Sequence, residues 1–432
     1  MNDIQSNGLY IFRHDLRLDD NPCLEYVSAQ CEALLCVYVI EDCWFQPTHY
    51  QSKRMGEHRY RFLLESLDDL HHSLQKHGHE LLVIKGDFDK CIGSMIDAVK
   101  PRIIGMAKHC GSYELEQQQR IQQLVDNLGI EYCDTNAECL FSEQQLPFDL
   151  EDMPNVFSPF RKKIEKAISP LPPKAESFEL PPQIQINSAV FDSVNTSFEL
   201  KQIQQKSFDA RLRGGSAAAK KQLNYYLVQS HHIQQYKQTR NGLEGWSFSS
   251  KLSAWLALGC ISVRQVYDAI KRYETEVCAN DSTYWLYFEL LWRDFFHWQA
   301  YKHNKQLFTF SGIQQREPQT QFDQESFTRW CHGETRYEIV DACMRQLNQT
   351  GFMSNRGRQL VASCFVHELG LDWRYGAAYF EQQLIDYDVA SNWGNWQYLA
   401  GVGSDPRGHR QFNLAKQTQQ YDEDGSFRAR WL

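Results

Sequence analysis

The sequence predicts an α/β domain with a Rossmann-like parallel sheet, joined by a long connection to an all-α second domain. Three observations carry this. Short apolar runs alternate with amphipathic segments up to about Thr135, prolines crowd the stretch from Ala137 to about Phe208, and beyond Arg211 only helical periodicity remains. The domain bounds that follow are 1–135, 136–208 and 209–432. A chain of 432 residues is long enough for two or three domains and a substantial core.

In the first domain the apolar runs are Leu9 to Phe12, Ala33 to Ile40, Glu80 to Lys85, Arg102 to Ala107 and Ile130 to Cys133. Each is short, bounded by polar residues or glycine, and reads as a strand. Between the second and third, Phe62 or Leu63, Leu67, Leu70 and Leu74 recur at helical spacing and Gly78 follows as a stop; Leu115, Ile121, Leu124, Val125 and Leu128 do the same before Gly129. Strand, helix, strand in this rhythm implies a parallel sheet with helices on both faces. No G-x-G-x-x-G follows the first strand, which leads instead into RHDLRLDDNP, so the usual glycine turn for dinucleotides is unsupported.

The connection holds 8 of the 13 prolines, which interrupts regular structure repeatedly. Within it Phe157, Pro159 and Phe160, followed by Arg161 to Lys163, predict a part ordered against a domain surface. Helical segments are then expected over Gly215 to Ser230, Leu252 to Glu276, Tyr284 to His303, Arg336 to Asn348 and Asn355 to Glu368.

Composition narrows the function. No apolar run of membrane-spanning length and no cleavable leader pattern occurs, so a soluble, cytoplasmic protein with no membrane partner is expected. The 13 cysteines are scattered singly and predict buried, reduced thiols, with neither a disulfide framework nor a metal cluster. A net charge of -9 argues against indiscriminate coating of nucleic acid. A local groove is still allowed, because Lys237 and Arg240, Arg293 with His297, Lys302 to Lys305, Arg356 with Arg358, and Arg407 to Arg410 interleave with aromatic residues.

Four islands in the second domain set polar groups among aromatic ones. Tyr236, TRNG and then Ser249, Ser250, Lys251, Leu252 and Ser253 bring hydroxyls and an amine to the start of a helix, which suits a phosphate; an ordinary helix cap is the alternative. In FELLWRDFFHW, Glu289, Trp292, Arg293 and His297 fall at helical spacings, so three or four of them share a face ill suited to a plain core, with Arg293 able to neutralise a pyrophosphate and Trp292 to stack on a base; a salt-bridged helix surface with a packed Trp is the alternative. Asn355 and Arg358 follow a glycine turn in TGFMSNRGRQ. LIDYDVASNWGNWQYL gathers Asp386, Asp388, Asn392, Trp393, Trp396 and Tyr398, the mixture of walls and edge partners that a planar, polar-rimmed cofactor needs; a helix-capping loop with core tryptophans is the alternative. If Arg358 pairs with Asp386, Asn392 is left to face a ring nitrogen. Metal at Asp386 and Asp388 is disfavoured, for no third carboxylate stands at suitable spacing.

These islands, with the early RHDLRLDDNPCL, SSKLSAWLALGCIS and VDACMRQL, resemble the photolyase/cryptochrome family over essentially the whole chain and in order. FELLWRDFF, MSNRGRQ and SNWGNWQYLAGVG most resemble its cryptochrome-DASH branch. The resemblance implies a U-shaped FAD in the helical domain, used for light-driven electron transfer. It puts Tyr236, Ser249 to Ser253 and Arg293 around the phosphates and ribityl chain, and Asn355, Arg358, Asp386 and Asp388 around the isoalloxazine, with Asn392 at its fifth ring nitrogen. Glu289, Trp292, Asn355, Gln359 and Tyr398, with Arg240 beside them, would receive a flipped-out pyrimidine dimer. Gln359 and Tyr398 stand where duplex-repairing members usually have Met and Trp. A pocket that stacks less recovers less of the cost of extruding a base, so single-stranded DNA is the expected substrate.

Trp396 and Trp373 match the two inner members of the family's electron relay; the third is missing near Phe322, leaving Trp330, Trp393, a tyrosine or nothing as the surface exit. His109 stands where the family commonly presents a Glu to the pterin of methenyltetrahydrofolate, which leaves that second chromophore open. Arg336 and Glu338 replace the family's usual Gly and Pro at a turn. The expected activity is that of a monomeric, blue-light, FAD-dependent lyase for cyclobutane pyrimidine dimers in single strands. The alternative is a photoreceptor with little repair; the chain's end at Leu432, without a long tail, favours repair, and a flavin carrier of dark metabolism is disfavoured by the lack of a nicotinamide site.

Overall fold

The computed structural model describes residues 6–174, 179–186, 209–404 and 410–432. Residues 187–208 of the connection and Arg407, both noted above, lie outside the described residues.

Strands β1 (Asn7–Phe12), β2 (Ala33–Glu41), β3 (Leu81–Gly86), β4 (Ile103–Met106) and β5 (Glu131–Cys133) form one parallel sheet in the order β3-β2-β1-β4-β5. Leu9 lies opposite Leu35 and Ile104, which fixes the register of the central three strands. Both faces are buried, as near-continuous apolar runs require. Leu9, Ile11 and Val37 face one core with α3 (Phe88–Val99) and α4 (Ser112–Leu128); Tyr10, Phe12 and Ile40 face the other with α1 (Pro22–Ala29) and α2 (Glu57–Gln75). The RHDLRLDDNP segment ends in the cap of α1, where the Asn21 side chain accepts from Leu24 N–H, and Pro22 sits at the first helical position.

The rest of that segment fastens the two domains. Arg17 donates to the Gly259 carbonyl at 2.9 Å, Leu16 N–H to the Leu258 carbonyl at 3.1 Å, and Asp20 holds Arg264 at 2.7 Å. This docking corrects the single helix expected over Leu252 to Glu276. Gly259 has φ +64° and passes so close to His14 that a Cβ would lie 2.0 Å from the His14 carbonyl oxygen. Helix α8 (Ser253–Ala257) therefore stops there, and α9 (Val263–Glu276) restarts from a capping box of Ser262 with Gln265.

In the connection, α5 (Phe157–Ala167) is ordered against the helical domain, with Phe157, Phe160 and Ile164 buried. Pro159 lies in its first turn, where no intrahelical N–H is needed. The helical domain comprises α6 (Ser216–Asn224), α7 (Tyr236–Thr239), α8, α9, α10 (Asp281–His303), α11 (Gln324–His332), α12 (Glu338–Thr350), α13 (Asn355–Ser363), α14 (Trp373–Gln383), α15 (Val389–Ala400), α16 (Leu414–Tyr421) and α17 (Ser426–Trp431). Helix α10 is its centre, flanked by α5, α7, α9 and α15. Nine of the 13 cysteines are buried and all are free, in line with the expected thiols. Among the described residues no helix is long and apolar enough to cross a membrane.

Candidate functional site

A cavity of about 520 Å³ opens between α7, the 249–253 segment, α10, α13 and the turn before α15, and a second of about 140 Å³ adjoins it beside α15. Asn355, Arg358, Asp386, Asp388 and Tyr398 line both. Every residue expected around the flavin or the dimer lines one or the other, as does Trp396, whereas Trp373, Trp393 and His297 line neither. Four islands spread over some 160 positions are thus brought to one place.

Helix α13 is started by Ser354, whose hydroxyl accepts from Gly357 N–H at 3.1 Å, and this sets Asn355 and Arg358 one turn apart on the cavity side. Arg358 Nη2 donates to both carboxylate oxygens of Asp386, at 2.9 and 2.7 Å, and its Nε to the Met353 carbonyl at 2.9 Å. The pairing expected from sequence is present. Asp388 caps α15 by accepting from Ser391 N–H at 2.7 Å and also accepts from His297 Nε2 at 2.7 Å, with Arg293 3.6 Å away. Burial alone would raise the Asp388 carboxyl; His297, Arg293 and the cap N–H hold it well below the usual carboxylate range. With both acids taken up by cations of the protein, neither is arranged to chelate a metal.

One turn on, Asn392 Nδ2 donates to the Ala377 carbonyl at 3.0 Å, which fixes the amide and leaves its oxygen and second N–H as edge partners. Across the cavity Lys251 adopts φ +59°. Its amine is lowered to about 8 by burial, with Arg358 adding repulsion. Among the described residues, the only serine side-chain contact at the start of α8 is a long one, Ser250 Oγ accepting from Leu252 N–H at 3.5 Å, and Ser249, Ser250 and Ser253 all line the cavity.

Three details of the α10 island differ from expectation. Trp292 is not an open stacking platform, because Phe157 of α5 lies on its ring at 3.7 Å and 12°. Arg293 is not an uncommitted cation for a pyrophosphate: it donates to the Glu138 carbonyl and faces Asp388. His297 does not share the cavity face; it is fully buried behind Asp388. Glu289 pairs with Arg240 at 2.9 Å, and burial raises its carboxyl while Arg240 opposes that.

Trp396 reaches the smaller cavity and is 2% exposed, with Phe380 at 5.2 Å and Trp330 at 6.2 Å, both edge-on. Trp373 is fully buried, donates to the Phe310 carbonyl at 3.1 Å and packs on Trp393 at 5.7 Å. Phe322, at the position lacking a tryptophan, stacks on Tyr375 at 4.0 Å.

A second cleft, of about 190 Å³, lies between the sheet domain and the helical domain, and sequence reasoning placed His109 there but missed Glu114. His109 lines it, stacked on His14 at 4.1 Å. Glu114, at the start of α4, brings a carboxylate to the same cleft. Burial raises Glu114, but His109 and Arg13 outweigh it and leave it below its ordinary range. Glu381, opposite, is pushed up to about 7 by burial despite Arg59 and Arg54. The Tyr113–Glu114 pair opening an amphipathic helix was the available signal. Its meaning depended on which end of the sheet the helix meets.

Comparison with known proteins agrees with this architecture. Residues 8–179 match the protein family described as DNA photolyase, and residues 285–432 the one described as FAD binding domain of DNA photolyase. A cryptochrome DASH from Idiomarina loihiensis is 49% identical over 424 residues, covering 98% of this chain and 92% of that protein. The crystal structure of a Synechocystis cryptochrome superposes with a TM-score of 0.92 at 40% identity, covering 100% of this chain and 89% of the other. A bacterial class III photolyase from Agrobacterium tumefaciens superposes with a TM-score of 0.83 at 25% identity, covering 100% and 87%.

Proposed function

The chain belongs to the photolyase/cryptochrome family, in its cryptochrome DASH branch, and from that premise we propose that it binds FAD in the helical-domain cavity and repairs cyclobutane pyrimidine dimers in blue light, preferring single-stranded DNA. The observation that carries this reading is the double cavity itself. It joins a hydroxyl- and amine-lined end at Ser249 to Ser253 to a carboxylate-, guanidinium- and amide-lined end at Asp386, Arg358 and Asn392, with aromatic walls between. The donor set fits a flavin with its phosphates. When bound and reduced, the flavin supplies an excited-state electron to the dimer.

The protein's own residues hold and shield. Lys251 and the serines neutralise and hydrogen-bond the phosphates; the Arg358–Asp386 pair and Asn355 fix the ring edge; Asn392, tethered to Ala377, presents its amide to the fifth ring nitrogen. Arg293 acts on the flavin site through Asp388. Glu289, held by Arg240, with Trp292, Gln359 and Tyr398, forms the receiving pocket for the flipped base. Gln359 and Tyr398 offer polar contacts and modest stacking, which suits a lesion whose strand is already unpaired. Trp396 and Trp373 form the inner relay, and Trp393, packed on Trp373, is the next ring toward the second cleft. That cleft, with Glu114 and Tyr38 on its walls, suits a small aromatic antenna such as methenyltetrahydrofolate. A cytoplasmic monomer completes the reading.

One observation favours the second reading, a photoreceptor with little repair: Phe157 covers a face of Trp292 that a base would use. Incubating the reduced protein with a dimer-containing single strand separates the two. Loss of dimers in blue light and not in darkness is expected; no light-dependent loss leaves the receptor.

A further inference from the structure

Asp388 lines the flavin-site cavity on one side and the second cleft on the other, and the group that holds it lies on neither wall. His297 of α10 is fully buried, with Nε2 2.7 Å from Asp388 Oδ2 and Nδ1 3.5 Å from Glu138 Oε1. Both ring nitrogens therefore face carboxylates. A neutral imidazole has one donor and one acceptor nitrogen, so either tautomer would turn a lone pair toward an anion. Only the imidazolium presents a proton to both carboxylates, at hydrogen-bond distance on the Asp388 side and as an ion pair without a hydrogen bond on the Glu138 side.

The surroundings agree. From the connection, Glu138 and Cys139 face the ring; from the start of α15, Asp388 does; from α10 itself come Arg293, Asp294 and Tyr301, whose hydroxyl donates to Glu138 Oε1 at 2.9 Å. Glu138 also accepts from Cys110 N–H at 3.2 Å and lies 3.5 Å from His109 Nε2. Desolvation would expel the imidazole proton, but Asp388 and Glu138 outweigh it and raise the group well above its ordinary range, against Arg293.

We propose that His297 is a positioning residue that stays protonated through neutral pH and, by doing so, keeps Asp388 ionised and fixed where it caps α15 at the cavity rim. The protonation stands on the geometry of the protein alone; its consequence for the cofactor rests on the flavin reading above. Through Asp388 the imidazolium sets the entry of α15 and hence the place of Asn392, one turn further on. A neutral residue of similar reach would let Asp388 take up a proton, and cofactor retention would then acquire an acid-side pH dependence that the unsubstituted protein lacks.

The test uses the full protein with bound flavin and nitrogen-15-labelled histidine, the His297 signals being assigned by their loss in His297→Gln. Both ring nitrogens of His297 are expected to stay protonated from about pH 5 to about pH 9; a ring that titrates near 6.5, or carries one proton at neutral pH, overturns the proposal. In His297→Gln flavin retention should fall about tenfold per pH unit as pH drops through the range in which Asp388 protonates, while His297→Arg, which keeps the charge, should restore a profile flat below about pH 8. A flat profile in His297→Gln removes the positioning role. If the protein holds no flavin at all, the flavin reading fails, and the ring protonation still decides whether His297 is an imidazolium.

Discussion

Replacing Gly376 by Ala tests whether Trp396 is held where an electron relay would need it. Gly376 lies inside α14, and a Cβ there would come within 2.2 Å of Trp396 Cη2 and 2.6 Å of Cζ3. Ordinary carbon contact is about 3.5 Å or more, so the indole must retreat by roughly 1.3 Å. Its surroundings resist that, with Phe380 at 5.2 Å and Phe365 at 5.6 Å packed edge-on against the ring. Alanine gains about 1 kcal/mol of helix propensity over glycine, and overpacking a core of this kind costs about 3 kcal/mol, so a net loss of about 2 kcal/mol is expected. Gly93 in α3 has nothing within 4 Å of its would-be Cβ. Gly93→Ala should accordingly stabilise by up to about 1 kcal/mol, which controls for propensity. The assay is thermal unfolding with the flavin's photoreduction rate measured on the same samples. Gly376→Ala is expected to lower Tm by about 4–8 °C and to slow photoreduction. A Tm at or above that of the parent, with an unchanged rate, refutes the packing argument.

Three further predictions follow from the site. Arg358→Ala leaves Asp386, whose side chain is 2% exposed, without its cation and should cost about 3 kcal/mol in chemical unfolding, together with loss of flavin; an unaltered midpoint would show that the pair is dispensable. Lys251, lowered to about 8, is charged below that pH and regains its proton when an anionic ligand binds above it. Flavin affinity should therefore be flat below about pH 8 and weaken by up to about tenfold per unit above it, a slope that Lys251→Met should abolish. Trp396→Phe should slow photoreduction strongly while the flavin stays bound, and equal rates would remove Trp396 from the relay.

What could be read from the sequence divides along physical lines. The central strands were visible because a sheet buried on both faces demands unbroken apolar runs such as Leu9 to Phe12 and Ala33 to Ile40. The residues of the double cavity were also visible, since a polar cofactor needs residue types that a core avoids. Features set by long-range docking were not. The break at Gly259 depends on the approach of His14, some 245 positions earlier, and no local pattern carries it. The burial of His297 behind Asp388 and the covering of Trp292 by Phe157 have the same origin, for helical spacing assigns a face but not what the connection lays against it. Glu114 was overlooked because its place on the second cleft depends on which helix end borders it.

The central claim is that the helical domain houses one flavin. Its most direct test is the absorption spectrum of the purified protein, followed by quantitation of chromophore released on unfolding. One flavin for each chain, lost together with the native structure, is the expected result. A colourless protein that takes up no added FAD would contradict the account.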